Sequence, residues 1–220
     1  MIQLHGTALS NYYNKVKLVL LEKGLEFSEH MVRPGSTDHT VLEASPVGKI
    51  PYLLTADGPL SESQAILEYL EALQPQPPLL PSSAYSAAKV RELCLFIDLN
   101  LELVVRPVYA QAFFGGEVDS KLAARIRPTL EKNLSGFKRL ARFDPYVAGE
   151  HFTWADCCAW VSLPLLGLAT KAVYGENFLQ MQGIDIKPYT QLIEQRASAQ
   201  RVKTEREVVQ KAMIAKGNIL

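Results

Sequence analysis

Four prolines (Pro75, Pro77, Pro78 and Pro81) fall within the stretch QPQPPLLPSS at residues 74–83 and divide the 220-residue chain into two parts. Proline fixes φ and lacks an amide donor, so neither a helix nor a ladder runs through such a stretch. The parts on either side differ in pattern. Before the prolines, short strand-like runs alternate with helical periodicity. After them, every periodic segment is helical.

The first part opens with IQLHG, a strand-like run ending at Gly6. Asn14 to Lys23 carries apolar Val16, Val19 and Leu20 on one helical face, and Gly24 follows where a helix-ending glycine is expected. Leu25 to Val32 reads as a second strand, Pro34-Gly35-Ser36 as a turn, and Asp38 to Ala44 as a short helix. Ile50 to Thr55 is a third strand. Asp57-Gly58 marks a tight hairpin into a fourth strand at Leu60. Ser61-Glu62-Ser63 opens a helix to Leu73, with hydroxyl residues placed as caps. A helix between consecutive strands predicts parallel pairing, with the last hairpin adding an antiparallel edge.

Beyond the prolines, long helices are predicted at Tyr85 to Phe114, Asp119 to Phe143 and Trp154 to Thr170. Two more follow at Pro188 to Ala197 and Ala199 to Ala215. Pro107 predicts a kink or break in the first of these. Thr153-Trp154-Ala155-Asp156 precedes an apolar run and forms a capping box, which marks a buried helix start. The chain is therefore expected to hold an α/β domain at residues 1–76, a linker at 77–84 and an all-helical domain at 85–220.

Bulk properties narrow the function classes. Hydrophobic residues make up 48% of the chain and charged residues 21%, which suits a soluble globular protein. Lys+Arg and Asp+Glu both number 23, so no net field attracts nucleic acid or an anionic membrane. MIQLHGTALS lacks a basic start and a long apolar run, so no secretory leader is expected and the cytoplasm is the expected compartment. LCLFIDLNLELVV is interrupted by Asp98 and Glu102, which argues against a membrane span. Cys94, Cys157 and Cys158 form no disulfide framework and have no metal-ligand spacing. His5, His30, His39 and His151 are scattered, so no metal is expected.

Three segments, in order and spacing, carry a resemblance. They are Ser10-Asn11-Tyr12-Tyr13-Asn14-Lys15-Val16-Lys17-Leu18 leading to Glu22-Lys23-Gly24, then Ser45-Pro46-Val47-Gly48-Lys49-Ile50-Pro51, then Leu60-Ser61-Glu62-Ser63-Gln64-Ala65-Ile66. With the Thr153–Asp156 box they resemble the cytosolic glutathione transferases over nearly the whole chain. The resemblance implies a thioredoxin-like N-terminal domain with a mixed four-stranded sheet, followed by an all-helical domain. It also implies a homodimeric, detoxifying enzyme with glutathione as a substrate.

Each motif has a physical role under that resemblance. A cis bond at Ile50-Pro51 would present the Ile50 backbone to the cysteinyl backbone of glutathione, as an added strand would. Glu62 would pair with the γ-glutamyl ammonium. The Ser63 hydroxyl and the helix N-terminus would hold the neighbouring carboxylate, and Gln64 is a weaker neighbour. The same residues also read as a plain helix start.

Ser10, between the first strand and first helix, stands where the serine-type classes place the donor to the glutathione sulfur. Many such members have Ser-Pro or Ser-Ser here, whereas this chain has Ser10-Asn11-Tyr12-Tyr13, so Asn11 is the alternative donor; a Tyr12 or Tyr13 phenol, as in the tyrosine-type classes, matches poorly in position. Ser10 also reads as a simple helix cap. No cysteine lies in the first part, which disfavours a protein-thiolate mechanism. Lys49 is the first choice for the glycyl carboxylate, ahead of Arg33 and His39. Tyr12, Tyr109 and Phe113 (with Phe114) are candidates for an apolar second-substrate pocket; core or dimer contacts are the competing reading. The function expected is conjugation to small electrophiles. The alternatives are glutathione-dependent disulfide reduction or peroxidase activity, assisted isomerisation, and a non-catalytic glutathione-binding module.

Overall fold

The computed structural model describes residues 1–215. The chain forms two compact units: residues 1–79 with 197–209, and residues 80–196 with 210–215.

In the first unit, β1 (Ile2–Gly6) is followed by α1 (Asn11–Glu22), β2 (Phe27–Met31), α2 (His39–Ala44), β3 (Tyr52–Thr55), β4 (Gly58–Leu60) and α3 (Ser63–Leu73). The sheet order is β2-β1-β3-β4. β1 pairs in parallel with β2, from Ile2 opposite Phe27 to Gly6 opposite Met31. β3 runs antiparallel to β1, with Leu4 opposite Leu53, and antiparallel to β4, with Leu53 opposite Leu60.

The expectation of parallel pairing therefore holds for β1 and β2 and fails for β3. A parallel crossover needs a dozen or more connecting residues, usually a full helix packed on the sheet. The connection from β2 to β3, residues 32–51, is long enough, but its helix α2 spans only six residues, and the chain crosses to the far side of β1 and returns reversed. Leu4, Val16, Leu18, Val19, Leu20, Leu53, Ile66, Leu67 and Leu70 are all inaccessible and form the core between α1, α3 and the sheet.

Helix α1 begins three residues earlier than its apolar period suggests, because Ser10 caps it. It ends as expected at Gly24 (φ +64). The Leu25 amide donates to the Leu20 carbonyl at 3.0 Å and the Gly24 amide to Leu21 at 3.1 Å. The proline-rich segment is pinned to this unit. Lys23 Nζ donates to the Pro77 carbonyl at 2.8 Å and lies 2.7 Å from Glu71. Glu71 accepts the Leu79 amide at 3.1 Å.

The second unit is helical. It holds α4 (Ala84–Phe96), α5 (Leu103–Val105), α6 (Tyr109–Phe113), α7 (Ser120–Leu140), α8 (Trp154–Tyr174), α9 (Phe178–Met181) and α10 (Lys187–Ile193). The single helix expected from Tyr85 to Phe114 is broken. A π-helix at Ile97–Glu102 follows α4, and a 3₁₀ turn at Arg106–Val108 contains Pro107. The proline accounts for the second break.

Helix α8 is the central element. Trp154, Ala155, Cys157, Cys158 and Ala159 are inaccessible within it. Among the described helices it alone is long and apolar enough to cross a membrane, yet most of it is buried inside the protein. The expected capping box is present. Asp156 Oδ2 accepts the Thr153 amide at 2.8 Å, and Asp156 Oδ1 accepts the Val147 amide at 2.9 Å.

The last helix, α11 (Ala197–Ala215), departs from the expected domain boundary. Its residues 197–209 cluster with the first unit. Polar contacts fasten it there. Lys17 pairs with Glu205, the Ser198 hydroxyl donates to Glu22, and Arg201 lies 3.5 Å from Glu29.

Candidate glutathione site

The first turn of α1 is built by Ser10. Its backbone is extended (φ −79, ψ 124), and its Oγ accepts the Tyr13 amide at 3.3 Å. Its carbonyl accepts the Asn14 amide at 3.0 Å, the first bond of the helix. Asn14 Nδ2 donates to the Ala8 carbonyl at 2.8 Å and holds the preceding loop against the turn. Ser10 is half-buried, whereas Asn11 is buried within α1. Tyr12 is half-buried, with the Lys15 ammonium 5.3 Å from its ring centre.

Ile50 and Pro51 are joined by a cis peptide bond and are buried. They lie just ahead of the β3 ladder, whose pairing with β1 begins at Tyr52. The segment carrying Ile50 is tied back to the loop after β2, since the Gly35 amide donates to the Gly48 carbonyl at 2.8 Å. That bond links the stretch bearing Arg33 to the stretch bearing Lys49. Both cations are exposed. The third candidate, His39, faces Glu43 at 3.4 Å.

The structure also joins the Ile50 segment to the first turn of α1. Gly6, at the end of β1, has φ +151. A Cβ placed there would lie 2.5 Å from Tyr13 Cδ2 and 3.4 Å from Ile50 Cβ. The absence of a side chain at Gly6 lets the Tyr13 ring and Ile50 converge over the strand end.

Glu62 is the N-terminal boundary of α3 and has φ 66, ψ 109, an unusual backbone for a residue with a side chain. It makes no side-chain cap bond, so the expected hydroxyl-capped start is replaced by a turned-out glutamate followed by Ser63. Glu62 is exposed and Ser63 half-buried. In Gln64, next along, both amide ends are buried with no hydrogen-bond partner among the described residues.

Tyr109 and Phe113 belong to the second unit, on α6. Their rings pack 5.2 Å apart, and Arg106 lies 5.8 Å from the Tyr109 ring centre. Arg106 is also bonded to the buried Glu102 through Nε at 3.1 Å.

Glu29 of the first unit was not selected by sequence pattern, and Tyr13, a poorly placed candidate for the phenolic donor to sulfur, has its hydroxyl engaged there. The Tyr13 hydroxyl donates to Glu29 Oε2, and Glu29 lies 2.5 Å from Lys17 Nζ. Nothing local in the sequence marks Glu29, which alternates within an ordinary strand. Among the described residues, no group of three or more His, Cys, Asp or Glu side chains is placed to hold a metal.

Comparison with known proteins places this arrangement in a family. Residues 4–78 match the family model described as the glutathione S-transferase N-terminal domain. A glutathione S-transferase of Pseudomonas putida is 45% identical over 179 residues, covering 81% of each chain. A stringent starvation protein A homolog of Coxiella burnetii is 30% identical, over 76% of this chain and 75% of its own. A solved glutathione S-transferase of Methylobacterium radiotolerans, in complex with glutathione sulfonate, superposes with a TM-score of 0.74 at 26% identity. It covers 91% of this chain and 93% of its own. With its mixed sheet, the family-model match over residues 4–78 and a 45% identical relative of that name, the chain belongs to the glutathione S-transferase family.

Proposed function

We propose that the protein binds glutathione in its first unit and presents the thiolate to small electrophiles. The observation that carries this reading is Glu62. A non-glycine residue at φ 66 and ψ 109 costs roughly 1–3 kcal/mol, and such backbone is concentrated at ligand sites. It turns a carboxylate out at the head of α3 beside Ser63, which suits an α-amino acid end carrying both charges. The unpartnered Gln64 amide adds a donor and an acceptor at the same place. Ile50 supplies backbone groups ahead of the β3 ladder, and Lys49 a cation for the glycyl carboxylate.

Ser10 is the donor to sulfur in this reading. Its oxygen already accepts the Tyr13 amide, which polarises the hydroxyl and leaves its proton for an external acceptor. Asn11 is the alternative, and its burial within α1 favours Ser10. A hydrogen bond to a charged group contributes about 1.5–3 kcal/mol, and a helix N-terminus about 0.3–1. At about 1.36 kcal/mol per pKa unit, together they lower a thiol of pKa about 8.5 by one to nearly three units. About half or more of the bound sulfur is then thiolate at neutral pH.

Retention on immobilised glutathione, lost in Glu62→Ala, tests the binding site; a parent protein that is not retained overturns the reading. Ser10→Ala is expected to lower turnover of an aryl halide at least tenfold with little change in binding. Equal activity moves the role to Asn11. Faster turnover of a disulfide than of the aryl halide selects reduction over conjugation. One other reading is a glutathione-binding module without turnover, since some curated relatives carry a name other than glutathione S-transferase. Retention with no activity on either substrate selects it.

We further propose a cytoplasmic homodimer. Cys94, Cys157 and Cys158 are buried, as structural thiols are in a reducing compartment. Leu95, Leu99 and Leu103 are 44, 54 and 45% exposed at intervals of four along α4, the π-helix and α5. Such an apolar stripe suits burial against a second copy.

A further inference from the structure

Tyr13 touches both halves of the proposed sulfur site. Its amide donates to Ser10 Oγ at 3.3 Å. Its ring, 3% exposed, fills the space over Gly6 next to Ile50. Its amide and ring belong to one residue, so the Ser10 bond is fixed only as firmly as the ring is.

The ring is held by its hydroxyl, which donates to Glu29 Oε2. That same oxygen lies 2.5 Å from Lys17 Nζ. Lys17 is inaccessible, and its ammonium also pairs with Glu205 on α11. Arg201 closes the network, donating from Nε to Glu205 Oε1 at 2.9 Å and lying 3.5 Å from Glu29 Oε1.

The protonation states suit this bonding pattern. Burial and the bond to Glu29 push the Tyr13 phenol far above its ordinary value, so it remains a donor. Burial pushes the Glu29 carboxyl up, but the bonds from Lys17 and Tyr13 outweigh it and hold it below its ordinary value. Glu29 is therefore an acceptor at any pH near neutrality. The arrangement is a chain of charge-assisted hydrogen bonds from α11 to the first turn of α1.

We infer that Tyr13 is a positioning residue for the sulfur donor, held by Glu29 and, through Lys17, by Glu205, so that docking of α11 sets the acidity of the bound thiol. This rests on the reading of Ser10 as the donor to sulfur.

The test measures the ultraviolet absorbance of thiolate against pH with glutathione bound, and the glutathione Kd, in the full chain and in Ser10→Ala, Tyr13→Phe and Glu205→Gln. Tyr13→Phe and Glu205→Gln are each expected to raise the apparent pKa of the bound thiol by about half a unit or more, a threefold loss of the ionised fraction well below that pKa, with Kd within twofold. The sign is diagnostic. Removing the charge of Glu205 acts through space to stabilise an anion, which lowers the pKa, so an upward shift reports lost positioning. Should Tyr13→Phe fold poorly, Glu205→Gln alone decides. An unchanged or lowered pKa in Glu205→Gln, with Ser10→Ala clearly raised, overturns the inference and leaves the Ser10 reading intact. A parent protein whose bound thiol titrates like free glutathione, or a Ser10→Ala variant that matches the parent, overturns both.

Discussion

Asp156 Oδ1 accepts the buried Val147 amide at 2.9 Å and so ties the loop before α8 to the first turn of that helix. Burial pushes the Asp156 carboxyl up to about 6 from 3.8, against the pull of the bonds from Val147 and Thr153. An acid raised in the folded state binds its proton more tightly there than in the unfolded chain. Its stabilising contribution is full below pH 4 and is lost as pH rises to about 6. A two-unit difference corresponds to about 3 kcal/mol. Asp156→Asn removes this dependence. In urea unfolding, the stability of the parent minus that of Asp156→Asn is expected to shrink by up to about 3 kcal/mol from pH 4 to pH 7. A constant difference shows that the carboxyl is not raised.

Gly48 and Gly24 share φ +64 but have different surroundings. A Cβ at Gly48 would collide with the Ser36 backbone oxygen, whereas one at Gly24 meets nothing within 4 Å. Gly24→Ala is therefore expected to cost about 1 kcal/mol, the left-handed backbone alone. Gly48→Ala should cost about 2 kcal/mol or more and weaken glutathione retention, because the Gly35–Gly48 bond positions Lys49 and Ile50. Thermal unfolding of both variants, beside a glutathione column, separates the two effects.

Glu62→Gly should separate stability from binding. Glycine adopts positive φ without a side-chain clash, so the variant is expected to gain about 1 kcal/mol. It also loses the carboxylate proposed for the ammonium of glutathione. A raised Tm together with lost retention is the expected pair of results. Unchanged retention would remove Glu62 from the site.

Leu99→Lys places a charge in the exposed stripe between Leu95 and Leu103. Sedimentation at micromolar concentration is expected to show half the parent mass, with unchanged helix content by circular dichroism. A parent that sediments as a monomer refutes the proposed dimer.

Much of the local architecture was legible because its causes are local. Gly24 stops α1 by its own φ, Pro107 breaks its helix by its own ring, and Thr153 with Asp156 closes a cap within four residues. The direction of β3 was not legible, because apolar alternation is the same read forwards or backwards. The π-helix was equally hidden, since Ile97, Leu101 and Val105 keep a helical apolar spacing through it. In the candidate site, the family resemblance points to Glu62 and Ser63, but no sequence pattern announced the backbone at Glu62. Tyr13 and Glu29 meet across 16 residues and two elements, and Lys17 and Glu205 across 188. No window of sequence contains such pairs.

The span from Lys17 to Glu205 bears on how the chain is made. Synthesis runs from the N-terminus at about 5–20 residues per second, and domains ordinarily fold as they emerge. The first unit here is not complete when its sheet has been translated. Its buried lysine must wait for a carboxylate that leaves the ribosome last among its partners. The nascent sheet can pair and α1 can form early, but the first unit closes only when the final helix returns to it. A ribosome stalled within the helical segment would thus hold a glutathione fold that is recognisable yet unlatched, and a chain cut before residue 197 would remain so.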